Sequence, residues 1–477
     1  MFDLEKFSGN TALITESAEI SYRELAVISE QIGDAVNQRC LVFLLSKNSV
    51  AAVAGYIGFI NRRIVVMMID SELNSEFIKI LIEHYRPKYM WLPKTLRENY
   101  SSYGEKFQFG DYALLSINKE NIFPLNENLA LLMTTSGSTG SPKFVRLSYE
   151  NILSNTKAIV KYLELNSNER AITNLPLSYV YGLSILNTHI YSGGSIVLTE
   201  KTLFQKEFWQ MLKEKKVTNL NGVPYTFSML ERLRFFRMKL PSLKTITQAG
   251  GKLDYEMHMK VANYAEKTGR RFFVMYGAAE ATARMGYLPY QESLNKCGNM
   301  GIAIPGGRFE LVDKDSNLIA TPDTVGELIY YGNNVMLGYA ANGEDLIRGD
   351  ENNKRLETGD FAKRDEDGFY TIVGRKKRFL KIFGKRVNLQ EVEHILKKKF
   401  DLEEIACTGV DDKMKIFITG TNFAEKIVPY ISEKLNLHPS AFVLKVISNI
   451  PKNSSGKIIY SKIDEKNSDE SFDIEVR

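Results

Sequence analysis

The sequence predicts an α/β fold of more than one domain, and three observations predict it. The chain of 477 residues is longer than one ordinary core organises, which points to two or more domains. Buried-strand patterns at residues 41–45 and 63–68 flank a helix-like stretch near 49–61, the βαβ grammar of an open sheet. Apolar residues at 44% and charged residues at 25% match a soluble globular chain rather than a disordered or membrane-spanning one.

Each element follows from local chemistry. Ser21 stands where an N-cap belongs, with Glu24 three residues on as its capping-box partner. The apolar run 129–133 reads as a buried strand and 144–147 as another, and Ser148 caps a helix that begins near Tyr149. Residues 244–247 and the run ending at Tyr276 read as strands, 389–399 as an amphipathic helix and 413–419 as a strand. The tail after about Asn467 is polar and expected to fray. With 62 Lys and Arg against 57 Asp and Glu, the net charge of +5 asks for neither nucleic acid nor a membrane surface. Cys40, Cys297 and Cys407 are isolated, so neither a metal cluster nor a disulfide framework is expected, and a cytoplasmic setting fits. The Met1–Lys6 start has no signal pattern, and no run of about 18 apolar residues suggests a membrane span.

Between the strands at 129–133 and 144–147 lies Thr134-Thr135-Ser136-Gly137-Ser138-Thr139-Gly140-Ser141-Pro142-Lys143. Gly137 and Gly140 permit backbone geometry in which successive N–H groups point at one anion. The hydroxyls of Thr135, Ser136, Ser138 and Thr139 add donors, and Lys143 adds a mobile positive charge. A ligand-free Ser/Gly turn is the plain alternative. The string is neither a Walker loop nor a G-x-G-x-x-G turn. It resembles the T-S-G-[ST]-T-G-x-P-K phosphate loop of the adenylate-forming superfamily, which contains acyl-CoA and aryl-CoA synthetases, luciferases and peptide-synthetase adenylation domains.

Further segments resemble that family in its order. Asn174-Leu175-Pro176-Leu177-Ser178-Tyr179-Val180-Tyr181-Gly182-Leu183 is similar to P-L-[FY]-H-x-x-G-L beside the acyl site, with Tyr179 where a His is usual. A core turn with two satisfied tyrosines is the alternative. No acidic residue lies between Ala171 and Thr199, which disfavours an α-amino acid substrate. Tyr225, in the V-P-x-like segment 221–225, is expected to wall the same pocket. Gln248-Ala249-Gly250-Gly251-Lys252 and Tyr276-Gly277-Ala278-Ala279-Glu280 resemble the nucleotide site. In the first, glycines would let the backbone lie against adenine, a tight strand-to-helix turn being the alternative. By resemblance to Y-G-x-T-E, Tyr276 stacks on adenine and Glu280 helps hold Mg2+, while Ala279 lacks the usual Thr hydroxyl. Gly301 opens a segment similar to G-x-P-x-P-G beside the acyl pocket.

Asp360, after the turn at Thr358-Gly359, suits a ribose because two hydroxyls need a bidentate acceptor. The stretch 374–388 resembles the family's domain junction and hairpin, placing Arg375 near the ribose and α-phosphate and Lys377 at the hinge. Arg378 stands where an acid is frequent. Read alone, the basic clusters at 375–378 and 397–399 are also compatible with a nucleic-acid patch, although no nucleic-acid fold motif accompanies them. Lys457, in a P-[KR]-[TN]-x-x-G-K-like segment, matches the lysine on which adenylation depends; a solvated loop lysine is its alternative.

The resemblance covers roughly residues 18 to 460. It implies a large multi-sheet N-terminal domain of adenylate-forming type over 1–375 and a small mobile α+β C-terminal domain over 376–477. It further implies that a carboxylic acid attacks ATP to give an acyl-adenylate, with Mg2+ at Glu280, the donor loop including Thr139, and Lys457 offsetting the charge. The acyl group then passes to a thiol, coenzyme A or the phosphopantetheine of an acidic carrier protein. The acid is expected to be uncharged beyond its carboxylate. An inactive nucleotide-binding homologue is the reading that Ala279, Tyr179 and Arg378 would favour.

Overall fold

A computed structural model describes residues 1–118, 120, 122–134, 143–383, 385–452, 458–460, 462–463 and 472–474. The chain forms two compact units. Among the described residues, the first takes in 1–134, 143–309 and Tyr330–Leu356; the second takes in Glu310–Ile329 and the chain from Glu357 onward.

In the first unit, among the described residues, an eight-stranded sheet has the central order Phe144–Ser148, Leu129–Thr134, Val65–Asp70, Leu41–Ser46, Tyr89–Pro93. The βαβ unit read from the sequence is here: Leu41–Ser46 and Val65–Asp70 pair in parallel, joined by the helix Val50–Asn61. Ten of that helix's twelve residues are buried, so it is core on every face rather than an amphipathic surface helix. The capping box at Ser21 and Glu24 starts the helix Tyr22–Val36, and Ser148 caps Tyr149–Leu163. A nine-stranded sheet completes the unit, and within it Arg170–Ile172, Asn219–Gly222, Thr245–Gln248 and Arg271–Tyr276 run parallel.

A four-stranded sheet runs in the order Arg308–Val312, Gly326–Tyr331, Arg355–Arg364, Tyr370–Arg375. The chain continues through the hairpin Phe379–Ile382 with Lys385–Asn388 into a mixed sheet built on Ile405–Val410, Lys413–Thr419 and Phe442–Ile447. The helices Leu389–Phe400 and Ala424–Leu435 bury Val392, Leu396, Ile427 and Ile431 in one core with that sheet, an α+β arrangement. Arg375 and Lys376, where the sequence reading divides the chain, both belong to the second unit. The hinge at Lys377 is carried forward as a proposal.

Arg378 has a structural role here. Its Nη2 lies 2.5 Å from Glu393 Oε1, its guanidinium sits 3.8 Å from the centre of the Tyr460 ring, and both charged side chains are nearly buried. Glu393 also accepts from the Cys407 N–H at 2.6 Å and from the Tyr460 hydroxyl at 3.2 Å. Burial pushes the Glu393 carboxyl above its ordinary range, against the pull of Arg378. Removing one partner of such a pair strands a buried charge, which costs about 3–5 kcal/mol, whereas an apolar pair of similar volume is often neutral. Arg378→Ala is therefore expected to lower the denaturant midpoint markedly. Arg378→Met with Glu393→Leu should recover most of the loss. Equal loss in both variants would show that the charge pair is not the cause.

Candidate active site

The parallel strands Asn219–Gly222 and Thr245–Gln248 of the nine-stranded sheet end in register, and Arg271–Tyr276 runs two residues further. Gly222 lies opposite Gln248, and Gln248 opposite Val274, so the segments after these strands leave one edge side by side. Ligands of open α/β sheets bind at that edge, where the strands' carboxyl ends leave the sheet. After Thr245–Gln248, the buried Gln248 side chain donates to the Gly251 carbonyl at 2.8 Å and closes the turn. Gly250 sits at φ +84°, and a methyl group there would come within 2.5 Å of the Tyr179 hydroxyl oxygen. Only glycine fits both the backbone and the neighbour. Two predicted residues, Tyr179 and Gly250, are thus in contact. Gly251 faces Pro224, and Lys252 is exposed.

The strand Arg271–Tyr276 ends on Tyr276, half-buried, with its ring centre 6.2 Å from that of Phe309. Gly277 follows, so close to the Ala283 carbonyl that a methyl group would meet its oxygen at 1.8 Å. That approach folds Ala278 through Ala283 into a tight turn carrying Glu280. Ala279, in the usual Thr position, joins the hydrophobic core instead of offering a hydroxyl. Glu280 Oε1 accepts from the Tyr339 hydroxyl at 2.8 Å. Burial first, and the Glu280 charge second, hold the Tyr339 phenol above its ordinary range, so it stays a donor. Tyr339 stands opposite Val145, two residues after the exposed Lys143. Thr134 pairs with Phe144, so both ends of the Ser/Thr-rich segment are adjacent. Residues 135–142, including Thr135, Ser136, Gly137, Ser138, Thr139 and Gly140, lie outside the described residues, as does Lys457.

Beside Tyr179 a polar chain runs inward. The Tyr181 hydroxyl lies 2.6 Å from Thr247 Oγ1, which donates to Asn221 Oδ1 at 2.6 Å. Burial pushes the Tyr181 hydroxyl up to about 12, so it enters this chain protonated. The Arg284 guanidinium stacks 3.9 Å from the centre of the Tyr181 ring, and only 3% of the residue is exposed. Its Nη1 donates to the Ala283 carbonyl at 3.1 Å, while its Nε has no partner. Among the described residues no carboxylate pairs with it. Burying a charge costs several kcal/mol. A desolvated cation–π contact returns about 2 kcal/mol and one charged hydrogen bond about 1.5–3. The Tyr162 hydroxyl also interacts with Arg284, and what the arginine lacks among the described residues is a counter-charge.

Of the other expected pocket residues, Tyr225 is 47% exposed at the first turn of the helix Pro224–Arg232, outside this buried cluster. Gly301 packs on the Tyr287 carbonyl, and the Tyr287 ring stacks on Tyr162 at 4.1 Å. The strands Arg355–Arg364 and Tyr370–Arg375 set Asp360 opposite Arg375. Arg375 Nε lies 3.0 Å from the buried Asp360 carboxylate while the arginine itself stays exposed. Arg284, Thr247, Asn221 and Tyr339 were not singled out by sequence. The available signal was a polar Thr-x-Thr-Gln alternation closing a buried strand, and a lone Arg in the Ala-Thr-Ala run after Glu280.

No group of three or more His, Cys, Asp or Glu gathers for a metal among the described residues. Mg2+ needs no such cage, since one or two carboxylates and substrate phosphates suffice, and Glu280 fits that use.

The fold is an open α/β sheet with glycine turns, a strand-ending tyrosine and a carboxylate after the strands' carboxyl ends. Residues 3–340 match the family model described as AMP-binding enzyme, and the chain belongs to that family. It is similar to the long-chain-fatty-acid–CoA ligase of Escherichia coli O157:H7, 28% identical over 349 residues, covering 70% of this chain and 61% of that protein. The chain thus spans about three-fifths of that relative's length. The Salmonella typhimurium protein of the same name is 28% identical over 398 residues, 80% of this chain and 68% of that one. Among solved structures, the o-succinylbenzoate coenzyme A synthetase of Bacillus subtilis in complex with AMP shares the fold at TM-score 0.79, with 19% identity over 96% of this chain and 97% of that one. ATP-bound MatB from Rhodopseudomonas palustris does so at TM-score 0.79, with 20% identity and 98% coverage of both chains. No described helix is long and apolar enough to cross a membrane.

Proposed function

We propose that the protein is an AMP-forming ligase that activates a carboxylic acid with ATP and passes the acyl group to a thiol, coenzyme A in the first instance. The supporting observation is the register that sets the ends of Asn219–Gly222 and Thr245–Gln248 in line and beside Val274, two residues before the end of Arg271–Tyr276. It sets the Tyr179–Gly250 contact and the Tyr276–Glu280 turn on one edge. The names of the relatives support the same reading.

The chemistry requires one anion, the acid, to displace another, pyrophosphate, at the α-phosphorus. Donors must therefore meet charge where it develops. Glu280 would hold a Mg2+ ion, whose charge offsets that of the triphosphate. The Ser/Thr-rich segment with Thr139 and Lys143 would bind the phosphates. Tyr276, Gly277, Ala278 and the Gly250-Gly251-Lys252 turn would take the adenosine. Asp360 would accept from the ribose hydroxyls, a role its pairing with Arg375 orients, and Arg375 would reach the α-phosphate. Lys457 would neutralise the attacking carboxylate. In this reading the chain divides at 375/376, and residues 376–477 turn about Lys377 between adenylation and thiol attack. Three unpaired cysteines, two of them buried, support a reducing, cytoplasmic setting.

The test is pyrophosphate release across a panel of acids, with and without coenzyme A. Acid-dependent release accompanied by thioester is expected. Release without thioester would move the acceptor to a carrier protein, and no release with any acid would overturn the ligase reading.

A further inference from the structure

We infer that the acid this protein activates bears a second carboxylate, received by Arg284 inside the first unit. The inference rests on the ligase reading. Its observation is the guanidinium of a residue only 3% exposed, stacked on Tyr181, with Nε unpartnered. No carboxylate of the described chain pairs with it. A planar guanidinium edge matches a carboxylate with two parallel hydrogen bonds, and a second anion from the ligand would supply the compensation that the chain withholds. The surroundings are polar on the same side. Tyr181, Thr247 and Asn221 form the buried hydrogen-bond chain described above, and Asn221 Nδ2 is a second buried donor without a partner.

Arg284 lies against the Tyr179–Tyr181 segment, which the sequence resemblance sets beside the acyl site, and this favours the acyl part of the substrate. Arg284 rides on Tyr181, whose neighbour Tyr179 abuts Gly250; the two tyrosine rings are 6.3 Å apart, edge to face. The main-chain carbonyl of Arg284 accepts from Asn155 Nδ2 at 2.8 Å, while its guanidinium is held by the Tyr181 ring and the Ala283 carbonyl. An acid uncharged beyond its reacting carboxylate, as expected from the sequence, would leave this charge buried and unmatched. The inference runs against that expectation.

The test compares straight-chain dicarboxylic acids of increasing length with their monomethyl esters, read as kcat/KM for pyrophosphate release. In the native enzyme the best diacid should exceed its own monoester by about 30-fold or more, on the order of 2 kcal/mol. In Arg284→Met that ratio should fall to about one or below, and Arg284→Lys, which keeps charge but loses the fork, should fall between. The diacid should also raise the native melting temperature in the absence of ATP, and not that of Arg284→Met. A native ratio at or below one, or one unchanged by Arg284→Met, overturns the inference. If Arg284→Met does not fold, the native ratio alone decides. No release with any acid would instead overturn the ligase reading itself.

Discussion

Glu280→Gln should lower acid-dependent pyrophosphate release by about 10²–10³-fold, the rate equivalent of several kcal/mol of metal-borne charge stabilisation. The substitution is chosen because glutamine keeps the length of the side chain and an oxygen for the Tyr339 hydroxyl, which now donates to Glu280 at 2.8 Å. The turn at Ala279–Ala281 is held by Gly277 against Ala283 and by Met336, whose N–H donates to the Glu280 carbonyl at 2.9 Å. Neither contact involves the carboxylate. The melting temperature should therefore move by no more than about 2 °C. Calorimetry gives a readout independent of turnover: the gain in ATP affinity on adding Mg2+ should shrink in Glu280→Gln. A variant that kept the native rate at low Mg2+, with the same gain in affinity, would remove Glu280 from the metal role. Tyr339→Phe should cost far less, because it deletes one hydrogen bond to the carboxylate and no charge.

What the sequence made legible, and what it did not, divides along physical lines. Features set by local chemistry could be read directly. Ser21 with Glu24, and Ser148, cap helices because their side chains satisfy nearby N–H groups. The parallel pair Leu41–Ser46 and Val65–Asp70 showed as apolar runs because both faces of such strands are buried. The contact of Tyr179 with Gly250 joins residues about seventy positions apart, and no local pattern announces it. Arg378 illustrates the same limit from the other side. As a string of basic residues it was compatible with a nucleic-acid patch or a hinge; in the fold it is the buried partner of Glu393. Tyr225 was expected to wall the pocket from its neighbourhood in sequence; on the helix Pro224–Arg232 it is 47% exposed. Arg284 was passed over because an arginine is ordinarily a surface residue. Its meaning lies in its burial and in the absence of a partner carboxylate among the described residues.

Lys457→Ala should suppress the first half of the reaction and spare the second. Lys457 lies outside the described residues, so its role rests on the motif that carries it and on an argument from charge. Adenylation brings a carboxylate against a polyanion, and a compact ammonium on a long, flexible stem suits a group that must neutralise that approach. Loss of one such donor in a water-excluded site costs about 10²–10³-fold. The transfer step has a different electrostatic problem. The acyl-adenylate is a neutral mixed anhydride at its carbonyl, and the incoming nucleophile is a thiolate, so a cation beside the former carboxylate is no longer required. If residues 376–477 turn about Lys377 between the two steps, the ammonium leaves before transfer begins. Single-turnover thioester formation from a supplied acyl-adenylate should then proceed in Lys457→Ala within about threefold of the native rate, far inside the 10²–10³-fold loss expected for adenylation. Equal suppression of both half-reactions would mean that one arrangement of the chain performs both, and the turn about Lys377 would have to be abandoned. The comparison needs the native acid, which makes the diacid series at Arg284 the experiment to perform first.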